Sequence, residues 1–424
     1  MIIKTLTTAF RKYYAGNKCK FVFKKHVMPE FTETDLDATH LYIHVPFCSH
    51  CCPYCPYNKI QVDRQLADSF FKALETEIEM YYDAVGRISI TSIYFGGGSP
   101  ALFPQQISNV IDQISNLFDV NGEYCIEINP TDCTTESLQI LKNAGIKTVS
   151  VGVQSFQDSN LSIIGRAYNG KVAEQAVENV CRIFDSVNID LMFALPEQTN
   201  ENLLLDVEKA LSYGVSQITT YPLFTFPYSK IGSYKKIKKV KMPHLGQRRT
   251  QYFSIYDKLM AENYNQVSVW SFKKDGGNKY SSVTRDGYLG MGAGAGSHLS
   301  TGFYLNTFPV KSYIQKLGMR EFPTALKFEM DTRMQNFFWL YWRFYDTRIP
   351  IIEFENRFAK EKKILRLFSF LQIFGMLEKT AYNYVLTRQG SFWLHLAQNY
   401  FSLQYVNKIW TQAMHIDFPD DIEF

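Results

Sequence analysis

Short apolar runs alternate with segments of helical periodicity through the first half of the chain. The apolar runs, rich in β-branched and aromatic residues, predict strands near 40–46, 91–96, 123–128, 147–153, 188–194 and 216–221. Between them, apolar residues recur every three or four positions, which predicts amphipathic helices over 65–82, 104–117, 135–143, 171–185 and 202–213. Because strands that alternate with helices form a parallel sheet, we predict an α/β fold, a partial (β/α)6 TIM-like barrel. In such barrels the loops that follow the strands carry the functional residues.

The pattern changes after about residue 325, where the helical segments become strongly aromatic, as in FFWLYWRFY and ILRLFSFLQIFGMLE. A short strand signal and LTRQG follow. Helical spacing, which indicates a packed core, relates four of these residues: Met334, Phe338, Tyr341 and Phe344. We therefore predict three parts: a basic N-terminal arm over 1–38, the barrel and its extension over 39–325, and a helical C-terminal domain over 326–424.

Composition and charge narrow the class of protein. The chain has 424 residues, 46% of them hydrophobic, which is ample for a buried core. Its formal net charge of +4 is too small to indicate a nucleic-acid partner, although anionic small molecules remain compatible with it. There is no run of about 18 apolar residues, so we predict no membrane span. Without a secretory signal, cysteines that lack a disulfide framework are typical of a reducing cytoplasm, where we expect the protein to act.

The N-terminal arm is basic. Seven Lys and Arg residues lie between Met1 and Met28, and the first acidic residue is Glu30. A solvated basic helix is the simplest interpretation of such a run of charge. An organelle presequence is the second interpretation, although Arg and Ser are sparse for one. The third is an arm that folds over the active site and meets substrate carboxylates.

Three cysteines in the loop after the first predicted strand form the most informative pattern. Cys48, Cys52 and Cys55 have the spacing C-x3-C-x2-C. Three thiolates on one tight loop can hold three irons of a cubic iron–sulfur cluster and leave the fourth iron open for a ligand that is not protein. A structural zinc site needs four ligands, usually in two pairs, and His44 and His50 lie too close in sequence to complete one easily. A disulfide framework is disfavoured by the missing secretory signal.

This spacing, with the aromatic Tyr54 just before the last cysteine, resembles the signature of the radical S-adenosylmethionine (SAM) enzymes. The flanking YIHVPFC, which begins at Tyr42, resembles the branch of oxygen-independent coproporphyrinogen III oxidases. The resemblance implies a [4Fe–4S] cluster on the three cysteines whose open iron binds SAM, with one SAM molecule or two, and places Tyr42 and Tyr54 in the cofactor site. It also implies an electron donor such as flavodoxin or ferredoxin. Reduction then cleaves SAM to a 5′-deoxyadenosyl radical, which abstracts hydrogen from the substrate.

Further motifs follow the later strands, and most have a plain structural alternative. GGGSP lets the backbone approach a ligand and offer N–H groups to it, but can be only a tight turn. The glutamate of EINP can be a buried ion-pair partner, and the arginine of LSIIGRAYNG a structural residue. The glutamine of GVQSF can donate to a nucleoside, and the acid of NIDLMFALPEQT can accept from ribose hydroxyls. The resemblance implies SAM contacts through Gly97, Gly98, Ser99, Glu127, Gln154, Arg166 and Asp190.

The chain departs from the family pattern in several places. Tyr168 replaces the histidine of G-R-x-H, and Ala194 replaces a glycine in the fifth-strand motif. Tyr57 stands where the oxidases proper carry a fourth cysteine. The H-N-x-x-Y-W motif of the heme chaperones has no counterpart in VWSFKKDGGNKYSSVTRDGY. Neither the oxidase role nor the chaperone role is therefore matched cleanly.

A second glycine-rich stretch, GMGAGAGS, runs from Gly290 to Ser297. It mimics a dinucleotide fingerprint, but no long strand signal precedes it and no acid follows at the expected distance. It resembles instead the segment that follows the barrel in this family. That implies a close backbone approach beside the active site, with a structural turn as the alternative. The aromatic helices and LTRQG resemble the family's small winged-helix-like C-terminal domain, which implies a lid and a wall on the substrate side.

Together these features predict a radical SAM enzyme that modifies a tetrapyrrole or a similar anionic aromatic molecule by decarboxylation, methyl transfer or ring modification. The alternative from another class is a heme-binding carrier or chaperone without turnover. We expect basic residues to meet the substrate carboxylates. The candidates are Lys273, Lys274 and Arg285, with ordinary solvated charges as the alternative.

Overall fold

A computed structural model describes residues 21–37, 39–224, 226, 241–275 and 286–423. Six parallel strands pair in chain order, as the sequence predicts. We number them as the first to sixth barrel strands: Thr39–Val45, Ser89–Gly97, Asp119–Ile128, Ile146–Gln154, Ser186–Phe193 and Gln217–Pro222. Most of their apolar residues are buried, because helices cover the sheet, and this explains why the strands read as apolar runs.

The helices between these strands also agree with the prediction: Arg64–Val85, Pro104–Leu117, Thr135–Asn143, Gly170–Ile183 and Asn200–Ser212. Polar side chains fix where most of them begin. Each of the following N-cap side chains accepts a hydrogen bond from the backbone N–H three residues further on: Asp63, Thr134, Asn169 and Thr199. A short helix that the sequence did not predict, Asp158–Ile163, lies in the loop after the fourth barrel strand.

The sheet continues past both ends of the barrel. Beyond the sixth barrel strand it adds Ser271–Lys274 and then Tyr264–Gln266, and the helix Leu245–Ala261 packs beside the latter. Beyond the first barrel strand it adds, in spatial order, Tyr288–Met291, Gly296–Leu299, Gly302–Asn306, Thr324–Glu329, Val22–Lys25 and Ile422–Glu423. The helix Val310–Gly318 packs on Arg64–Val85. In the ranges that the structure covers, the first and sixth barrel strands do not pair, so the barrel is open.

Part of the predicted N-terminal arm belongs to this sheet. A solvated basic helix is the simplest prediction for the arm, and it is wrong for Val22–Lys25, which is a strand paired with Thr324–Glu329. The Phe23 ring stacks on Phe328 with centroids 5.2 Å apart, so burial of aromatic side chains outweighs the charge of the neighbouring lysines. A short helix, Glu33–Asp37, then leads into the first barrel strand. Residues 1–20 lie outside the described ranges.

The C-terminal part has the winged-helix-like order of elements. The helices Thr332–Tyr345, Ile351–Phe358, Lys362–Ile373 and Arg388–Ala413 surround a three-stranded sheet of Arg348–Pro350, Asn383–Leu386 and Leu377–Lys379. Aromatic residues from three of the helices form a core of its own. The predicted division at 325/326 falls inside the strand Thr324–Glu329 and stays a prediction. No helix in these ranges has the length and apolar character that crossing a bilayer demands.

The buried face of the first C-terminal helix is offset from the predicted stripe. Met334 is buried, as expected, but the next buried positions are Phe337, Trp339 and Leu340. Phe338, Tyr341 and Phe344 are only partly buried. The face that they form turns partly toward the barrel, where Phe338 packs against His298 with ring centroids 4.1 Å apart.

Candidate functional site

The cysteine loop leaves the carboxyl end of the first barrel strand and is anchored at both ends. Phe47–Cys48 pairs in parallel with Ile60–Gln61. The N–H of Val62 donates to the carbonyl oxygen of Cys48 at 2.9 Å. The Nζ of Lys59 donates to the carbonyl oxygen of Cys55 at 2.7 Å. Backbone hydrogen bonds and the Lys59 side chain therefore hold the two ends of the cysteine loop in place.

The three predicted cluster cysteines, Cys48, Cys52 and Cys55, line one cavity of about 340 Å³. We call them the cysteine triad. Cys51, which the spacing leaves out, does not line the cavity. Burial raises the pKa of the Cys48 and Cys55 thiols. A bound iron would offset this effect, because its positive charge replaces the thiol proton.

The donor set fits an iron–sulfur cluster better than a single ion. Among the described residues, no three His, Cys, Asp or Glu side chains converge closely enough to hold one metal ion. In a cubane cluster each cysteine binds a different iron, so the three sulfurs need no common centre. Three thiols in the wall of one cavity suit such a cluster. The cavity volume lies within the range of small-molecule sites, about 300–1,000 Å³.

Most of the other predicted site residues line the same cavity, although they come from different strands and from the loops between them. They are Tyr54, Gly97, Gly98, Glu127, Gln154, Arg166 and Asp190. Tyr42 and Ser99 are not in the cavity wall. The Tyr42 hydroxyl lies 2.8 Å from Nδ1 of His44, and the Ser99 hydroxyl donates to the Asp132 carboxylate. These two side chains bond to neighbouring residues around the cavity and do not face it.

The GGGSP segment packs against the start of the cysteine loop. The N–H groups of Gly98 and Ser99 donate to the carbonyl oxygens of Val45 and Phe47, at 2.8 and 2.7 Å. A Cβ on Gly98 would lie 2.5 Å from the Phe47 carbonyl oxygen, so glycine lets the two loops touch. The expectation that these two N–H groups face a ligand is therefore wrong, because both donate to backbone carbonyl oxygens of the protein.

Glu127 is a half-buried carboxylate in the third barrel strand. Its Oε1 accepts from the Tyr94 hydroxyl at 2.5 Å, and its Oε2 accepts from the Gly97 N–H at 3.3 Å. No cationic side chain in the described ranges forms a salt bridge with Glu127. The alternative interpretation, a buried ion pair, is therefore not supported within the described ranges. Burial raises the pKa of Glu127 despite the two hydrogen bonds. A ligand ammonium group would compensate such a carboxylate.

Arg166 offers an unused donor. Its Nη2 donates to the carbonyl oxygen of Gly152 at 3.1 Å. Its guanidinium carbon lies 5.7 Å from the ring centroid of Tyr54 and 5.4 Å from that of Tyr168. The Nε atom is buried and has no hydrogen-bond partner among the residues that the structure describes. Because buried donors are nearly always paired, this atom indicates where an acceptor of a bound ligand belongs.

Two residues beside the cavity adopt the left-handed backbone conformation that normally favours glycine. Gln154 ends the fourth barrel strand with φ of 67°, and its Oε1 accepts from the Tyr221 hydroxyl at 2.7 Å. Ala194, which replaces the family's glycine, has φ of 56° after the fifth strand. Such strained positions cost about 1–3 kcal/mol and cluster at functional sites. Ala194 therefore has a backbone conformation that a glycine would adopt at lower cost.

Asp190 lies in the fifth barrel strand with both carboxylate oxygens engaged. Oδ1 accepts from the Asn188 side chain at 2.8 Å, and Oδ2 accepts from the Ser150 hydroxyl at 3.2 Å. Burial, followed by the charge of Glu127, raises the pKa of Asp190 to about 7. The protein thus keeps an acid in the cavity wall where a neutral residue would be easier to bury.

The second glycine-rich stretch makes the predicted close backbone approach, but to the first barrel strand and the cysteine loop and not to the cavity. The Gly292 N–H donates to Oε2 of the buried Glu77 at 2.8 Å. A Cβ on Gly292 would lie 2.3 Å from the His44 carbonyl oxygen, and one on Gly294 would lie 2.7 Å from Nδ2 of Asn58. None of the stretch lines the cavity. The stretch therefore packs against the cysteine loop without facing the cavity.

The remaining wall of the cavity includes aromatic residues that the sequence analysis did not single out as site residues. They are Phe224, Trp270, Tyr345 and His395. Tyr57 also lines the cavity. Tyr345 and His395 come from the C-terminal part, which agrees with the predicted wall. A lone aromatic or histidine in a helix carries no local signal of a site, because only the tertiary fold brings it there.

Two of the three basic residues proposed for the substrate carboxylates are not in this wall. Lys273 and Lys274 lie in the strand Ser271–Lys274 and do not line the cavity. Arg285 lies outside the described residues.

Comparison with known proteins agrees with the fold and the motifs. Residues 42–210 match the family model of the radical SAM superfamily. The chain is 32% identical over 302 residues to the heme chaperone HemW of Bacillus subtilis, covering 69% of this chain and 80% of the relative. It is 27% identical over 320 residues to the oxygen-independent coproporphyrinogen III oxidase of Bradyrhizobium diazoefficiens, covering 68% of each.

A solved structure shares the fold over almost the whole chain. The coproporphyrinogen III oxidase HemN from Escherichia coli, described as a radical SAM enzyme, superposes with a TM-score of 0.74 at 20% identity. The match covers 93% of this chain and 98% of that chain. The chain therefore belongs to the radical SAM superfamily, in the branch that contains the HemW heme chaperones and the oxygen-independent coproporphyrinogen III oxidases.

Proposed function

We propose that this chain is a radical SAM enzyme that modifies a tetrapyrrole. Its family uses a [4Fe–4S] cluster and SAM. One observation carries the proposal: three thiols, two half-buried carboxylates and an arginine whose Nε has no partner among the described residues meet in one cavity. When bound there, the cluster and SAM supply a 5′-deoxyadenosyl radical for removing a hydrogen atom from a substrate.

Each polar group of SAM has a residue of matching chemistry in the cavity. Glu127 would attract the ammonium group, because it is a half-buried carboxylate without a cationic partner in the described ranges. Arg166 would hold the carboxylate through its unpaired Nε. Asp190 would accept hydrogen bonds from the ribose hydroxyls, and Gln154 would donate from its amide nitrogen. The cysteine triad would hold the cluster.

The rest of the wall suits a flat aromatic substrate. Trp270 and Tyr345 offer ring surfaces, which exclude water and pack against a macrocycle. The names of the two relatives refer to heme and to coproporphyrinogen III, and both molecules are tetrapyrroles. We therefore propose a tetrapyrrole substrate, an electron donor such as flavodoxin or ferredoxin, and a cytoplasmic setting that keeps the thiols reduced. We propose no nucleic-acid partner.

A heme carrier is the second candidate. It is favoured by the 32% identity to a protein named as a heme chaperone and by Tyr57, which stands where the oxidases proper have a cysteine. A carrier and an enzyme share the need to bind a tetrapyrrole. They differ in whether SAM is consumed and whether the tetrapyrrole changes.

Anaerobic turnover distinguishes the two. The reconstituted protein is incubated with SAM, dithionite and either heme or coproporphyrinogen III, and both the nucleoside and the tetrapyrrole are analysed by mass spectrometry. An enzyme yields 5′-deoxyadenosine or methylthioadenosine together with a tetrapyrrole of changed mass. A carrier binds heme and returns it unchanged. A Cys55→Ala variant, which removes one proposed iron ligand, serves as the control without turnover.

A further inference from the structure

His395 lines the candidate cavity from the C-terminal helix Arg388–Ala413. Only 8% of its surface is exposed. Its ring meets Trp270 edge to face with centroids 4.2 Å apart, and it lies 5.8 Å from the ring of Tyr345. The imidazole is therefore set into the aromatic part of the wall, which none of the proposed SAM contacts uses.

Neither ring nitrogen of His395 has a hydrogen-bond partner in the part of the chain that the structure covers. Burial, and after it the positive charge of Arg248, lowers the pKa of His395 to about 3. The Gln398 side chain, whose Oε1 also has no partner in good hydrogen-bond geometry among the described residues, opposes this shift in part. The imidazole is thus neutral at physiological pH, and one nitrogen keeps its lone pair. Buried polar groups are nearly always paired, so these two atoms indicate a missing ligand.

His50, which also lines the cavity, does not show this pattern. It is exposed, and its Nε2 lies 2.9 Å from the carbonyl oxygen of Gly165. Hydrogen bonding to the backbone accounts for its position. His395 is therefore the better candidate for contact with a molecule in the cavity.

We propose that His395 binds the central metal ion of a metallated tetrapyrrole in this cavity. The inference rests on the proposed function, in which the cavity takes a tetrapyrrole. A neutral imidazole is the usual protein ligand of porphyrin iron and needs to lose no proton to bind it. The imidazole nitrogen replaces a water molecule as a ligand of the metal ion, and the oxidation state of the metal does not change. Trp270 and Tyr345 then flank the macrocycle, and the charge of Arg248 favours a propionate nearby.

A bond between His395 and the metal ion would make the site selective for metallated tetrapyrroles. A site held together by a metal–imidazole bond prefers a metallated tetrapyrrole over the metal-free ring of the same shape. A site that relies on ring packing alone binds both equally. The difference between the two ligands therefore isolates the contribution of His395 from that of the aromatic wall.

The test uses the full-length protein with its cluster reconstituted under anaerobic conditions. Fe(III) protoporphyrin IX and metal-free protoporphyrin IX are titrated into the wild type, into His395→Ala and into His395→Phe, which keeps a ring in the wall. His415→Ala is the matched control, since this exposed histidine lies just beyond the end of the same helix. Binding of the iron porphyrin is followed by difference absorption and by electron paramagnetic resonance, and binding of the metal-free ring by fluorescence.

We expect both His395 variants to bind Fe(III) protoporphyrin IX more weakly by about tenfold or more and with an altered resonance signal. Affinity for the metal-free ring should stay within about twofold in His395→Phe. Added imidazole should restore the signal of His395→Ala, and His415→Ala should match the wild type. Wild-type affinity and an unchanged resonance signal in both His395 variants would overturn the inference and leave the proposed function standing. If neither porphyrin binds the wild type, the tetrapyrrole proposal fails and this inference fails with it.

Discussion

Replacing Asp190 by Asn should make the protein more stable and its SAM binding weaker. The pKa of Asp190 is raised to about 7, first by burial and then by the charge of Glu127. Against an ordinary Asp pKa of about 3.9, the shift corresponds to at most about 4 kcal/mol of stability lost when the carboxyl ionises. Asparagine has nearly the same shape. It can accept from Asn188 and donate to Ser150, so the variant removes the charge and keeps the hydrogen bonds.

The pH dependence follows from the direction of the shift. An acid whose pKa is raised by folding binds its proton more tightly when folded than when unfolded. The contribution of Asp190 to stability therefore falls as the pH rises from about 4 to about 7. Asp190→Asn lacks this loss. We expect the variant to unfold at a higher temperature than the wild type at pH 8, and the difference in stability to fall to roughly a third of that value at pH 5.

SAM affinity should change in the opposite direction. Loss of the carboxylate leaves the ribose hydroxyls with a weaker acceptor, which should cost about 1–3 kcal/mol, or roughly 5- to 150-fold in affinity. Anaerobic thermal unfolding at both pH values and SAM titration at pH 8 measure the two effects. Asp206→Asn is the control. Asp206 is also a buried acid, with a hydrogen bond from the Phe156 N–H, but it lies outside the cavity and should leave SAM affinity unchanged.

Two results would refute this reasoning. Equal destabilisation of Asp190→Asn at pH 5 and pH 8 would show that the buried charge is not what limits stability there. SAM affinity that matches the wild type, with Asp206→Asn also unchanged, would remove Asp190 from the SAM site.

Three other changes test the cysteine loop and its support. Alanine at any position of the cysteine triad should abolish the iron content and the visible absorption of the reconstituted protein, whereas Cys51→Ala should keep both; equal loss in Cys51→Ala would mean that the wrong cysteine was excluded. Gly98→Ala places a Cβ 2.5 Å from a backbone oxygen of the cysteine loop, so we expect about 1–3 kcal/mol of destabilisation and less bound iron, and an unchanged iron content would contradict the packing argument. Ala194→Gly relieves a φ of 56° and should stabilise the protein by about 0.5–1 kcal/mol in thermal unfolding, whereas a lower midpoint would show that the position is not strained.

The barrel was predictable because its signals are local. Each of the six strands is an apolar run, and the helices between them carry their own periodicity and N-caps, so neighbouring residues suffice to locate them. The strands that widen the sheet are different. Ile422–Glu423 and Val22–Lys25 are short and pair with each other across nearly the full length of the chain. No pattern within so few residues can predict a partner that distant.

The candidate site shows the same contrast between residues with a local sequence signal and residues that only the tertiary fold brings together. The cysteine triad and the SAM-side residues stand in motifs, so the sequence could propose them together. The substrate-side wall could not be proposed residue by residue. Trp270 and His395 approach within 4.2 Å although 125 positions separate them, and each is an ordinary core residue by local pattern. The orientation of the GGGSP N–H groups could not be predicted from the sequence either, because it depends on carbonyl oxygens in a distant part of the chain.

Transfer of deuterium from substrate to nucleoside tests the proposed function most directly. The reconstituted protein is given SAM, reductant and either deuterated heme or deuterated coproporphyrinogen III, and the 5′-deoxyadenosine is analysed by mass spectrometry. If the radical chemistry of this cavity acts on a tetrapyrrole, deuterium appears in the nucleoside, and its formation is faster with the tetrapyrrole than without it. Unlabelled 5′-deoxyadenosine that forms at the same rate with and without either tetrapyrrole would contradict the proposal.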